Sequence, residues 1–196
     1  PAALELKLDG FRVQLHKESD IIRAYSRSLN DVTDYVPEAV AAVAAMPARK
    51  LIVDGEAIVF GSNGQPLPFQ DTMKRFGKKG NLLKDKLPLS LALFDTLLVD
   101  DQTLITEPAR TRFAALAEAA PAHAVKRLVT NDIYEASRFY ADAISAGHEG
   151  VMAKALDAPY DAGNRGASWL KIKRVHRLDL VVLAAEWGSG RRKGWL

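Results

Sequence analysis

The chain contains no cysteine, which excludes disulfides and thiolate metal sites and fits a reducing interior. It has no apolar run approaching the roughly 20 residues that a membrane helix needs. Pro1 is followed almost at once by a motif-bearing segment, with no signal-like stretch. These absences point to an intracellular protein, cytoplasmic or nuclear, with no membrane partner, cut from a longer parent. Histidine is sparse, and His16, His123, His148 and His176 lack the spacing of metal ligands. No internal repeat or low-complexity tract is present beyond the alanine-rich helix faces. Neither charge sign dominates: 27 Lys and Arg stand against 24 Asp and Glu, so the sum says little about partners and the distribution must be read. The 196 residues are 48% hydrophobic, enough for one sizeable core or one domain and the opening of a second.

The positive charge is uneven. Lys171, Lys173, Arg174, Arg177, Arg191, Arg192 and Lys193 face only Asp179 and Glu186 after residue 168, and the remainder is slightly acidic. A second basic cluster, Lys74, Arg75, Lys78, Lys79, Lys84 and Lys86, is opposed locally by Asp85 alone. Both suit contact with phosphates, and both equally suit a solvated surface.

Alternation and turn residues predict strands at Leu4–Leu8, Phe11–His16 and Ile21–Tyr25, joined as an antiparallel meander. Helices are predicted over Tyr35–Met46, with Pro37 in the first turn, over Phe69–Phe76, over Pro108–Ala119 and over Asp132–Ala146, the last capped by Gly147. Further strands are predicted at Leu51–Phe60, Leu89–Val99, Gly150–Ala153, Ser168–Lys173 and Leu178–Ala185. Strands mixed irregularly with few helices argue for an α+β fold, antiparallel β-sheets flanked by helices.

In Glu5-Leu-Lys-Leu-Asp-Gly-Phe-Arg12, strand alternation places Glu5, Lys7 and Asp9 on one face and Leu4, Leu6 and Leu8 on the other. The row is either a solvated amphipathic strand or a setting for Lys7 as a nucleophile. Trp169, Lys171 and Lys173 likewise share a face, with Leu170 and Ile172 turned to the core. Glu149 and Lys154 are five apart, so a regular strand puts them on opposite sides. Either a bulge or bend at Gly150 reconciles them or Lys154 reaches a ligand from another direction.

Lys7-Leu-Asp-Gly-Phe-Arg12 resembles the lysine-aspartate-glycine motif of covalent nucleotidyltransferases, the superfamily of polynucleotide ligases and mRNA capping enzymes. The rest of that family's pattern follows in order: Ser26-Arg27, Asp54-Gly55-Glu56, Leu93-Phe94-Asp95, Glu149-Gly-Val-Met-Ala-Lys154 and Trp169-Leu-Lys-Ile-Lys173. The glutamate-glycine start of the fifth block and the segment Leu67–Arg75 are similar to ATP-dependent DNA ligases. The resemblance implies their ATP-grasp-like adenylation core over residues 1–176. It also implies a linker and the start of an OB-fold domain over 177–196, where Trp187–Trp195 is the weaker match.

The same resemblance implies that Lys7 attacks ATP to form a lysyl-AMP phosphoramidate, with AMP passing to a 5′-phosphate before nicked duplex DNA is sealed. A lysine with a pKa of about 10.4 is almost wholly charged at neutral pH. Partial burial and neighbouring cations, among them Arg12, Lys171, Lys173 and Mg²⁺, would ease its deprotonation and stabilise the phosphate oxygens. Glu56 and Glu149 are the implied Mg²⁺ ligands, Glu56 also lying near the ribose. Phe94 and either Val151 or Met152 would sandwich the adenine, with Glu5 at its edge, although Phe94 by itself reads as a core residue. Arg12 and Arg27 would hold the ribose and phosphate, and either could be a surface ion-pair partner. Asp9 would orient the turn, and Gly10 would admit the phosphate. The basic clusters would track the duplex backbone with a steep salt dependence. Without the OB-fold and any N-terminal DNA-binding domain, weak self-adenylation and negligible sealing are expected. An RNA ligase, a capping guanylyltransferase core and a catalytically silent nucleotide-binding module remain the alternatives.

Overall fold

Val13, Leu15, Leu51, Val53, Ala57 and Leu93 are wholly withdrawn from solvent, and the polar residues between them turn to the opposite faces of the strands. This period-two pattern builds most of a computed structural model that describes residues 1–76, 83, 85–162, 167–175 and 179–194. Strands β1 (Ala2–Lys7), β2 (Phe11–Glu18) and β3 (Ile21–Ser26) precede helix α1 (Pro37–Ala44). Then follow β4 (Lys50–Val59), α2 (Phe69–Met73), β5 (Leu89–Val99), β6 (Gln102–Thr103) and α3 (Ala109–Ala119). The order ends with β7 (Arg127–Thr130), α4 (Ile133–Ser145), β8 (Gly150–Ala155) and β9 (Trp169–Lys173).

Two antiparallel sheets result, one ordered β7-β1-β8-β9 and the other β3-β2-β4-β5-β6. The α+β class stands, but the expected three-stranded meander does not. β2 and β3 form a hairpin, whereas β1 leaves for the other sheet and pairs with β7 and β8. Asp9-Gly10 is therefore a crossing between sheets. Gly10 is required there because a Cβ would lie 2.6 Å from Ile58 Cγ1 and 2.7 Å from the Ala57 carbonyl. Residues 179–185 form no strand, and Leu180, Val181, Val182 and Leu183 are exposed. Leu178, which opens that expected strand, lies outside the described residues, as do Arg177 and Trp195.

The helices are fixed by local chemistry and by the faces they bury. Pro37 opens α1, where its missing N–H is no loss, and Val36, Ala39 and Val43 join the main core. Asp132 caps α4 by accepting from Tyr134 N at 2.6 Å and Glu135 N at 3.3 Å, and Gly147 follows its end at φ +86°. Phe139 and Ala143 of α4 cover Leu4 and Val151 on the outer face of the first sheet. Burial of Leu4, Phe139 or Val151 is worth roughly 1.5–3 kcal/mol each over the exposed state. Leu170 and Ile172 of β9 remain 57% and 44% exposed and are not core residues among those described. Among the described residues, no helix is long and apolar enough to cross a membrane.

The ladder between β4 and β5 is irregular at two points, between Ile52 and Val53 and between Asp54 and Gly55. At the second it pairs Asp54 with Asp95 and then Gly55 with Leu93, so Phe94 is an extra residue in β5. Such a bulge re-aims a side chain and frees a carbonyl from the ladder.

Candidate active site

A cleft of about 420 Å³ opens between the two sheets. Three cross-strand rows of the first sheet form one wall. Lys7 lies opposite Gly150, which lies opposite Lys173; Glu5, Met152 and Lys171 form the next row; Ala3, Lys154 and Trp169 form the third. Because side chains two apart share a face, Lys7, Glu5, Met152, Lys154, Trp169 and Lys171 all border the cleft. Val151 points the other way, into the core under α4, so Met152 is the apolar wall. From the second sheet come Arg12, Glu56 and Phe94, with Arg27 exposed at the rim. Thus Glu5, Lys7, Arg12, Arg27, Glu56, Phe94, Met152 and Lys171 converge, as the motif order implies.

Lys7 is ion-paired through its Nζ with Glu149 Oε2. The other oxygen of Glu149 accepts from Lys173 Nζ at 2.7 Å. Side-chain-free Gly150 sits in the row between the two lysines, and the Glu149 carboxylate bridges them. A Cβ on Gly150 would run into the Ile172 carbonyl, so glycine is required at this close approach. Burial opposes ionisation of Glu149, but hydrogen bonds from Lys173 and Lys7 outweigh it and hold the carboxyl below its ordinary value. Lys173 is not part of the cleft wall. It is half exposed and acts on Lys7 through Glu149.

Glu56 is the opposite case. Burial pushes its carboxyl up to about 7, against the hydrogen bond from Gly10 N at 2.8 Å and the charges of Lys7 and Arg12. An acidic group this buried, facing the cleft without an ion-pair partner among the described residues, suits a hard cation. Glu149, although paired with Lys7 and Lys173, supplies a second carboxylate beside Lys7. Among the described residues, no group of three His, Cys, Asp or Glu side chains is placed to hold a metal by itself. Two carboxylates nevertheless match Mg²⁺, which keeps several waters and takes further oxygens from substrate phosphates.

Arg12 is clamped. Its Nε donates to Asp54 Oδ1 at 3.1 Å and its Nη2 to Asp54 Oδ2 at 2.6 Å, with Asp54 fully buried. The guanidinium lies 5.7 Å from the centre of the Phe94 ring. Arg12 and Glu56 are opposite one another in the β2–β4 ladder, and Asp54 is two residues away on the same face.

The back of the cleft is a buried charge network that carries most of what sequence reasoning missed. Glu5, only 1% exposed, pairs with Lys154 Nζ at 2.6 Å and Arg127 Nη2 at 2.5 Å. The row containing Glu5 and Lys7 is therefore no solvated edge. Arg127 and Lys154 also approach the carbonyl freed by the bulge at Phe94, at 3.1 and 3.4 Å. Lys154 Nζ sits 4.0 Å from the Trp169 ring and 4.6 Å from Phe94, so it shapes the aromatic wall from behind. Next to this network, Arg112 forks onto Asp95 at 2.8 and 3.1 Å, both residues being fully buried. Asp54 belongs to a recognised motif without a role read into it. Arg112, Arg127 and Tyr160 carried no local signal at all.

The second basic cluster is revised. Arg75 is buried and its Nη2 donates to both carboxylate oxygens of Glu38, at 2.8 and 3.0 Å, and Lys74 pairs with Asp71. Arg75 is therefore no phosphate contact, Lys74 and Lys86 remain exposed, and Lys78, Lys79 and Lys84 lie outside the described residues. Asp9 is exposed and borders a smaller pocket with His148 and Glu149.

Comparison with known proteins agrees with this arrangement. The family described as "ATP dependent DNA ligase domain" matches residues 1–173. A "Probable DNA ligase" of Anaeromyxobacter dehalogenans (strain 2CP-C) is 57% identical over 198 residues, covering 100% of this chain and 39% of that protein. The chain thus spans about two-fifths of the length of that curated relative. The crystal structure of the ligase domain from M. tuberculosis LigD superposes with a TM-score of 0.71 at 29% identity, over 88% of this chain and 54% of the other. A mycobacterial DNA ligase D complexed with ATP and MES gives a TM-score of 0.69 at 28% identity, with the same coverages. With the family pattern spanning nearly the whole chain and its lysine, carboxylates and aromatic gathered in one cleft, the protein belongs to the ATP-dependent DNA ligases.

Proposed function

We propose that this chain is the adenylation domain of a DNA ligase, that Lys7 is its nucleophile and that residues 177–196 lead into an OB-fold domain. The observation that carries the reading is the Lys7–Glu149 pair at one end of a cleft whose walls hold Glu56, Arg12 and Phe94. In the first step the Lys7 amine forms a bond to the α-phosphorus of ATP, the bond to the bridging oxygen breaks, and pyrophosphate leaves. Attack requires the neutral amine, so Glu149, already hydrogen-bonded to Nζ, is the group placed to accept or relay its proton. Arg12 and Lys171 face the developing charge from opposite walls. Phe94 and Met152 give the adenine its apolar contacts, and Glu5 lies at the base edge. Arg27 at the rim suits the ribose or the incoming phosphate. Glu56 and Glu149 would hold Mg²⁺, which would supply charge neutralisation on the phosphate oxygens when bound.

AMP would then pass to a 5′-phosphate, and a 3′-hydroxyl would displace it to seal a nick. A DNA substrate implies an intracellular site of action, and Lys171 and Lys173 would contribute to phosphate contact at the cleft mouth. Intact-protein mass spectrometry after ATP, with GTP and Lys7→Ala as controls, tests the first step. An AMP adduct that needs Lys7 and is reversed by pyrophosphate is expected. Absence of nucleotide binding in the full-length ligase, or an adduct that survives Lys7→Ala, would refute the assignment.

A further inference from the structure

We infer that Tyr160 is a positioning residue for Arg12, holding its guanidinium so that one nitrogen is presented to the nucleotide. The inference rests on the proposed function, in which Arg12 contacts ATP. It comes from counting donors. Arg12 has five N–H groups. Nε–H is taken by Asp54 Oδ1, and the two on Nη2 are taken by Asp54 Oδ2 at 2.6 Å and the Tyr160 hydroxyl at 3.0 Å. The Tyr160 hydroxyl donates its own proton to Asp54 Oδ2 at 2.6 Å, closing a ring of three hydrogen bonds. Among the described residues only the two N–H groups of Nη1 are left, and they suit a ribose hydroxyl or a phosphate oxygen.

Without the tyrosine, Asp54 alone can pair with guanidinium through either of its edges, and the choice of nitrogen facing the cleft is lost. Burial and the neighbouring Asp54 carboxylate both push the phenol above its ordinary pKa, so the hydroxyl keeps its proton. The tyrosine is itself held from several sides. Its backbone N–H donates to the Ile105 carbonyl at 3.0 Å, and its ring lies edge-on to Trp169 at 6.2 Å and under Arg112 at 5.9 Å. Arg112 Nη1 donates to the Ala158 carbonyl at 3.1 Å, tying the same segment to α3. A rigidly mounted hydroxyl aimed at an ion pair that faces the cleft is a support for a functional side chain.

The test uses full-length ligase, freed of bound AMP by pyrophosphate, and measures self-adenylation against ATP concentration. Tyr160→Phe removes one hydrogen bond and keeps the ring. It is expected to raise the KM for ATP about tenfold, the effect of one hydrogen bond to a charged group, with little change in the maximal rate or melting temperature. Arg12→Lys is expected to raise KM further, and adding Tyr160→Phe to it should have no additional effect, since the hydroxyl acts only through the guanidinium. Additive losses, an unchanged KM in Tyr160→Phe, or a Tyr160→Phe chain that melts far below wild type would each overturn the proposal. An Arg12→Lys enzyme with an unchanged KM would instead refute the underlying assignment of Arg12 to the nucleotide.

Discussion

Replacing Glu56 by glutamine should change how the stability of this protein depends on pH. The carboxyl is pushed by burial from 4.5 to about 7. A folded-state pKa above the unfolded value means that the native protein binds the proton more tightly. The corresponding stabilisation is complete below the unfolded pKa and is lost as pH rises through the folded one. With those two values, the Glu56 contribution declines by about 2.5 kcal/mol between roughly pH 5 and pH 8. Glutamine keeps an oxygen for the Gly10 N–H and cannot ionise. The stability of Glu56→Gln relative to wild type should therefore rise by that amount across the window, about 5–10 °C in melting temperature for a chain of this size. The assay is thermal or urea unfolding of both proteins from pH 5 to 8 in chelator, without nucleotide. The comparison is a difference of differences, so the pH responses of all other groups cancel. Parallel profiles would show that Glu56 titrates normally in the native state and would remove the argument that its burial prepares a cation site.

Two further perturbations probe the walls of the cleft. Arg112→Ala leaves the fully buried Asp95 without its fork, and it should cost about 3–5 kcal/mol in urea unfolding; a loss under 1 kcal/mol would mean that the site relaxes or admits water. Phe94→Ala, read in the full-length ligase, should raise the KM for ATP more than it lowers the maximal adenylation rate, because in the proposed reading Phe94 contacts the base, and the change touches neither Lys7 nor Glu149. A purely kcat effect would place Phe94 outside the nucleotide site.

The strands and helices were legible because their signals are local. An apolar run placed β5 at Leu89–Val99, and Asp132 and Gly147 bracketed α4. Sheet membership was not local. β1 finds its partners near residues 127 and 150, and no turn residue at Asp9-Gly10 distinguishes a hairpin from a crossing. The four-residue β7 and the two-residue β6 are too short for a periodic signal. Within the site, the motif order pointed to the residues facing the cleft. The side chains behind them, Arg112, Arg127 and Tyr160, come from segments that meet only after folding.

Lys154 shows how a sound local rule gave an ambiguous answer. Counting parity from Glu149 assumes that both residues belong to one ladder, yet β8 begins at Gly150 with φ +155°. Glu149 thus lies outside the ladder, free to turn its carboxylate between Lys7 and Lys173. Lys154 keeps the strand's parity with Met152 and so shares the cleft face. The bend at one glycine lets a single segment serve two ends of the cleft. Its first residue, Glu149, meets Lys7, and its last, Lys154, braces Glu5 and the aromatic wall. Because Lys154 is 2% exposed and Glu5 1%, the pair cannot be halved cheaply. Lys154→Met should destabilise the fold, because the buried Glu5 carboxylate is left with Arg127 in place of two cationic partners, and adding Glu5→Gln should restore part of that loss. Recovery in the double variant, measured by urea unfolding, would identify the lysine as a charge partner of Glu5 before it is anything to the nucleotide; no recovery would assign its cost to packing against Trp169 and Phe94.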